Sequence, residues 1–193
     1  AHRDDSLKSR IMDNLDDFVH RDPALALTFH KLRSAGKSLF LLTNSFAAYT
    51  DRVMSFLMDD VLPEYPDWRS YFDVIVTGAG KPAFFTERSS FLEVDRHGEV
   101  LGEEDSEFRR GSIYQGGNLR DLEQMAGFGG DRVLFVGDHI YGDILRSKKT
   151  SAWRTAMIVQ EMEQELQQVH QLHEELSRID DIDREISRLN AEL

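Results

Sequence analysis

Four short apolar runs constrain this chain more than any other feature: SLFLL at 38–42, DVIV at 73–76, RVLFVG at 132–137 and AMIV at 156–159. None alternates polar with apolar residues, so none reads as a strand with one wet face. None is long enough to be a buried helix. Near-continuous runs of this length are strands covered on both faces, the habit of parallel sheets.

The stretches between them carry helical spacing. Pro23 opens one helix with Leu25, Leu27, Phe29 and Leu32, which Gly36 closes; residues 49–61 repeat through Val53, Phe56, Leu57 and Val61. SFLEVDRHGEVL at 90–101 reads as a hairpin turning at Arg96-His97-Gly98. GSIYQGGN leads a further strand into a helix capped by Asn118 and stopped by Gly127. IYGDILRSKK follows the 132–137 run as another helix. Leu7, Ile11, Leu15 and Phe18 predict one amphipathic helix over residues 1–19. Strands alternating with helices imply an α/β fold, a doubly wound parallel sheet. In such sheets ligands bind beyond the carboxyl ends of the strands.

Three strand ends therefore carry the functional reading: LTNS, TGAGK and GDHIYGD. Asp138 at a strand mouth and Asp143 five residues later could ligate a hard cation such as Mg²⁺, which needs only one or two protein carboxylates. They could equally cap the next helix and favour its dipole. Thr43 and Asn44 could turn a hydroxyl, an amide and backbone N–H groups toward an oxyanion, or serve as ordinary turn residues. Lys81, after small residues that let backbone approach a ligand, could neutralise phosphate, or be a surface lysine.

Taken in order, these strings resemble the haloacid-dehalogenase superfamily: Thr43-Asn44 its second motif, Lys81 its third, Gly137-Asp138 with Asp143 its fourth. FLLTNS, YFDVIVTGAGKPAFF, YQGGN and GDHIYGDILRSKK are similar to its cytosolic purine 5′-nucleotidase branch, over roughly residues 24–158. The resemblance implies a Rossmann-like core and Mg²⁺-dependent hydrolysis of nucleoside monophosphates through an aspartyl-phosphate. It gives Thr43 and Asn44 the transferring phosphoryl group, Lys81 its charge, and Asp138 the metal. Asp143 would order the metal site directly or through water, and Ser45 would touch substrate.

The family's first motif, D-x-D-x-T, has no counterpart here. Asp4-Asp5 lacks its spacing and Asp16-Asp17 falls in a helical pattern. The resemblance thus implies a C-terminal portion: residues 1–22 the helical end of a cap, 23–159 an incomplete core, 160–193 a tail. Without the nucleophile this segment alone is expected to be inactive. The alternative is a non-catalytic relative acting as a binding or assembly module. A phosphohydrolase of sugar or lipid phosphates would share the same core.

Composition narrows the partners. A net charge of −12 argues against a nucleic-acid surface. No apolar stretch reaches membrane-spanning length, and AHRDDSLKSR lacks a signal peptide's apolar core. The absence of cysteine fits the cytoplasm. Residues 160–193 hold ten acids against three arginines, so −7 of the charge is in the tail. Met162, Leu166, Val169, Leu172, Leu176, Ile179, Ile182, Ile186, Leu189 and Leu193 form a heptad-like stripe there. The stripe either packs on its own subunit or joins a homo-oligomer, and Asp180-Asp181 is a candidate break.

Overall fold

The computed structural model describes residues 5–104 and 106–191 and has the α/β architecture that the apolar runs imply. Helix α1 (Asp5–Asp13) and the single turn α2 (Leu15–Phe18) precede α3 (Pro23–Ser34). Strand β1 (Phe40–Leu42), α4 (Ala47–Met58) and β2 (Val74–Thr77) follow. The hairpin is β3 (Phe91–Val94) and β4 (Val100–Glu104). Next come β5 (Ile113–Gly116), α5 (Leu119–Ala126), β6 (Leu134–Gly137), α6 (Arg146–Thr150) and β7 (Arg154–Met157). The chain ends in α7 (Glu161–Gln171) and α8 (His173–Ala191).

Local chemistry sets the boundaries. Asp22 accepts the Ala24 N–H and caps α3, with Pro23 at its first position. Asn118 accepts the Asp121 N–H at the start of α5, and Gly127 ends that helix at φ 69°. The helix expected over 1–19 is interrupted at Asn14, whose side chain bonds back to the Arg10 carbonyl instead of propagating the turn. Leu15 is buried there while Leu7 and Phe18 stay exposed, so only part of that stripe finds cover. Asp4 and Leu193 lie outside the described residues.

The sheet comes in two pieces. Five strands run in the order β1-β2-β5-β3-β4, with β1, β2 and β5 parallel and the hairpin antiparallel at one side. β6 and β7 form a separate parallel pair. Aromatic packing ties the pieces together: the Phe40 ring stacks on Phe128 at 5.4 Å and Phe135 at 6.4 Å, and meets Trp153 edge-on at 5.6 Å. The Trp153 indole donates to Glu123 Oε1 at 2.7 Å, so its polar edge is satisfied within the core. A second core cluster, with Trp68, Tyr71, Phe72 and Ile75, lies against Met58 of α4 and Ala26 of α3.

The tail departs from expectation in one respect. Its interruption falls at Leu172 (φ −91°, ψ 5°), whereas Asp180-Asp181 sits within α8. Backbone bonds from Leu172 N to Gln168 O and from Leu176 N to Leu172 O, both 2.9 Å, carry the ladder across, so α7 and α8 continue one another. Among the described residues no helix is long and apolar enough to cross a membrane.

Candidate functional site at three strand ends

The loops after β1, β2 and β6 meet around one ammonium group. Thr43 follows β1 with its N–H on the Val76 carbonyl (2.9 Å), extending the β1–β2 pairing by one residue. Its hydroxyl accepts the Ser45 N–H at 3.1 Å, which closes a tight turn. Asn44 grips the loop after β2 at both ends of one residue: its amide donates to the Lys81 carbonyl at 2.9 Å, and its Oδ1 accepts the Lys81 N–H at 2.6 Å. Gly78 and Ala79 complete the join, donating to the Ser45 and Thr43 carbonyls. Gly78 has φ 51°, and a Cβ there would meet the Phe46 ring at 2.9 Å, so this close approach requires glycine.

That clamp aims Lys81 inward. Its Nζ donates to the Leu42 carbonyl at 2.9 Å and pairs with Asp143 Oδ1 at 2.7 Å. It also lies 5.3 Å from the centre of the Phe135 ring, within cation–π range. Both charged side chains are nearly enclosed, 11 % exposed for Lys81 and 8 % for Asp143. Desolvating two charges is costly unless each finds partners, and here each has more than one. Asp143 Oδ2 accepts the His139 N–H at 3.2 Å.

Beyond β6 the chain turns wide. Ile144 N reaches back to the His139 carbonyl, five residues earlier, and Asp143 N shares that acceptor at 2.9 Å. The His139 ring nitrogen accepts the Gly142 N–H at 2.9 Å and caps this π turn. Such turns concentrate at functional sites, because they re-aim a side chain without ending the helix. Gly137 makes room for the re-aimed group: a Cβ would stand 2.6 Å from Asp143 Oδ2. Ser147, fully buried, fixes the next turn through bonds to the Asp143 and Ile144 carbonyls.

Asp138 occupies different ground. It is exposed and lines an open cleft of about 470 Å³ with His139, Tyr141, Met157 and Ile158 among its walls. The donor set fits Mg²⁺ in part: Asp138 presents a carboxylate to solvent at a strand mouth, whereas both Asp143 oxygens are engaged by Lys81 and the His139 amide. Among the described residues no group of three or more His, Cys, Asp or Glu gathers around a common point. A cation here would draw its remaining ligands from water, a bound phosphate or further protein groups.

The structure thus brings Thr43, Asn44, Lys81 and Asp143 into one connected network, with Ser45 in its turn through backbone bonds. Asp138 adjoins this network by one peptide step, through His139. Sequence reading missed His139, Phe135 and the Leu42 carbonyl, and it placed Gly137 in a motif without its clearance role. Gly137 and His139 stood inside the string GDHIYGD, yet their roles, clearance and capping, depend on a π turn that helical spacing does not announce.

Comparison with known proteins adds a second line. The family model described as "5′ nucleotidase family" matches residues 1–193. The human 5′-nucleotidase domain-containing protein 2 is 34% identical over 157 residues, which cover 81% of this chain and 29% of the human protein. Its rat counterpart matches at 34% over 81% of this chain and 27% of its own length. A 5′-nucleotidase domain-containing protein of Dictyostelium discoideum is 32% identical over 171 residues, 86% of this chain and 28% of its own. The chain spans less than a third of the length of each of these relatives.

Proposed function

The chain belongs to the 5′ nucleotidase family, and from that premise we propose that the full-length protein is a Mg²⁺-dependent phosphohydrolase of the haloacid-dehalogenase type, acting on nucleoside 5′-monophosphates with purines preferred. The observation that carries this reading is the Lys81 ammonium, enclosed where the loops after β1, β2 and β6 converge. An ammonium nearly enclosed at the meeting of these loops suits an incoming phosphate, and it stabilises charge that develops during transfer. The relatives named for 5′-nucleotidase domains, with the 5′ nucleotidase family model, support the substrate class.

In this reading Thr43 and Asn44 hold the phosphoryl oxygens, Ser45 borders the substrate, and Lys81 neutralises the equatorial charge. Asp138 would hold Mg²⁺, which supplies further charge neutralisation to the phosphate. Asp143 backs both elements, since its carboxylate fixes the Lys81 ammonium and the amide next to Asp138. A carboxylate nucleophile has to come from outside these residues. We assign it to an upstream strand seated between β1 and β6, each of which is paired along one edge only among the described residues. Its oxygen would attack phosphorus, the nucleoside oxygen would leave and take up a proton, and water would then cleave the aspartyl-phosphate. On this account the 193-residue chain alone does not turn over substrate.

The test is phosphate release by the full-length protein from a panel of nucleoside, sugar and glycerol monophosphates, with Mg²⁺ or with EDTA. Purine nucleoside monophosphates should be cleaved fastest, and EDTA should stop the reaction. Preference for sugar or glycerol phosphates, or undiminished release in EDTA, would overturn the proposal.

A further inference from the structure

The tail carries an apolar stripe that the other described residues leave uncovered. Every residue of α7 and α8 whose exposure is described is exposed, and nine stripe residues from Met162 to Leu189 are each 44–60% accessible. A solvent-facing stripe of this length on an otherwise polar helix calls for a partner.

The spacing of the stripe says which partner. Measured from Leu176, the apolar positions lie 14, 10, 7 and 4 residues before it and 3, 6, 10 and 13 after it. The pattern therefore reads nearly the same in both directions. A second copy laid antiparallel about Leu176 would set Met162 against Leu189, Leu166 against Ile186, Val169 against Ile182 and Leu172 against Ile179. A self-complementary patch repeated on both partners is what a two-fold axis demands.

Charge selects the same orientation. The N-terminal half, 161–175, has acids but no arginine, and the three tail arginines, Arg178, Arg184 and Arg188, all lie in the C-terminal half. Antiparallel pairing brings Arg188 toward Glu163 and Glu165, Arg178 toward Glu175, and Asp181 toward His170 of the other copy. Parallel pairing would set each acid against itself on a segment of net charge −7. We propose that α7 and α8 form an antiparallel, two-fold contact with the same helices of a second copy of this chain, centred on Leu176. The proposal does not depend on the nucleotidase reading.

The absence of native cysteine makes the test clean. Residues 162 and 189 lie on one continuing helix about 40 Å apart, so a disulfide between them has to join two chains. The 193-residue chain should sediment at twice its monomer mass. Met162→Cys/Leu189→Cys should oxidise to covalent dimers, whereas Met162→Cys and Leu189→Cys singly should not. Leu176→Lys, at a site exposed within its own subunit, should give a folded monomer. A monomeric wild type, as expected if the stripe packs within its own subunit, would overturn the proposal. So would covalent dimers of Met162→Cys alone, the mark of parallel pairing, or a Leu176→Lys chain that keeps the doubled mass.

Discussion

Strands β2 and β6 carry the same kind of sequence, VIVT and LFVG, and meet different surroundings. β2 has a neighbour on each edge and is covered on both faces; Ile75 and Val76 are 1% and 0% exposed. Among the described residues β6 pairs only with β7, and while Phe135 is buried, Leu134 and Val136 on the opposite face are 59% and 50% exposed. An apolar run thus states what a strand requires, not what its neighbours in the chain supply. It also separates the chemistry. The loop after β2 delivers a nearly enclosed Lys81 held by the Leu42 carbonyl and Asp143, and the mouth of β6 delivers an open Asp138.

The largest expected effect falls at the β6 mouth. In the full-length protein Asp138→Asn should reduce Mg²⁺-dependent phosphate release by at least about 10³-fold, several kcal/mol of transition-state stabilisation. Because Asp138 is exposed, its melting temperature should hardly move. An active, Mg²⁺-responsive Asp138→Asn protein would remove this residue from the metal site.

At the end of β2 the effects should be mixed. Lys81→Met should lower turnover by about 10²–10³-fold. It should also destabilise the fold by about 3–5 kcal/mol, because it leaves the buried Asp143 carboxylate without its cation. Adding Asp143→Leu should recover much of the stability and none of the turnover. Recovery of both would make Lys81 a structural lysine only.

The smallest effects compare the strands themselves. In the 193-residue chain Ile75→Ala should cost about 2–5 kcal/mol by chemical denaturation, and Leu134→Ala less than about 1 kcal/mol. In the full-length protein the Leu134→Ala cost should rise toward that of Ile75→Ala if further protein covers the open face of β6. Equal costs in the short chain would erase the distinction between the two strands.

Much of this arrangement was legible from residue types alone. The apolar runs at 73–76 and 132–137 became strands, Pro23 and Asn118 began helices, and Gly127 ended one, because each rests on local backbone chemistry. What stayed hidden depended on distant partners. The split of the sheet turns on which edges find neighbours. The Lys81–Asp143 pair joins residues 62 positions apart, and the π turn that aims Asp143 is enabled by a missing Cβ at Gly137. The break at Leu172 rather than at Asp180-Asp181 has no signal in composition. Acidic residues are tolerated within an exposed helix, where they stay hydrated.

In the function proposed above, these residues form the charge-stabilising part of a phosphohydrolase whose nucleophile lies outside them. The direct measurement is phosphate release from a purine nucleoside 5′-monophosphate by the full-length protein and by the 193-residue chain, side by side in Mg²⁺. Turnover is expected from the first and none above background from the second. Equal turnover by both would place the nucleophile within these residues, and an inactive full-length protein would contradict the enzymatic reading itself.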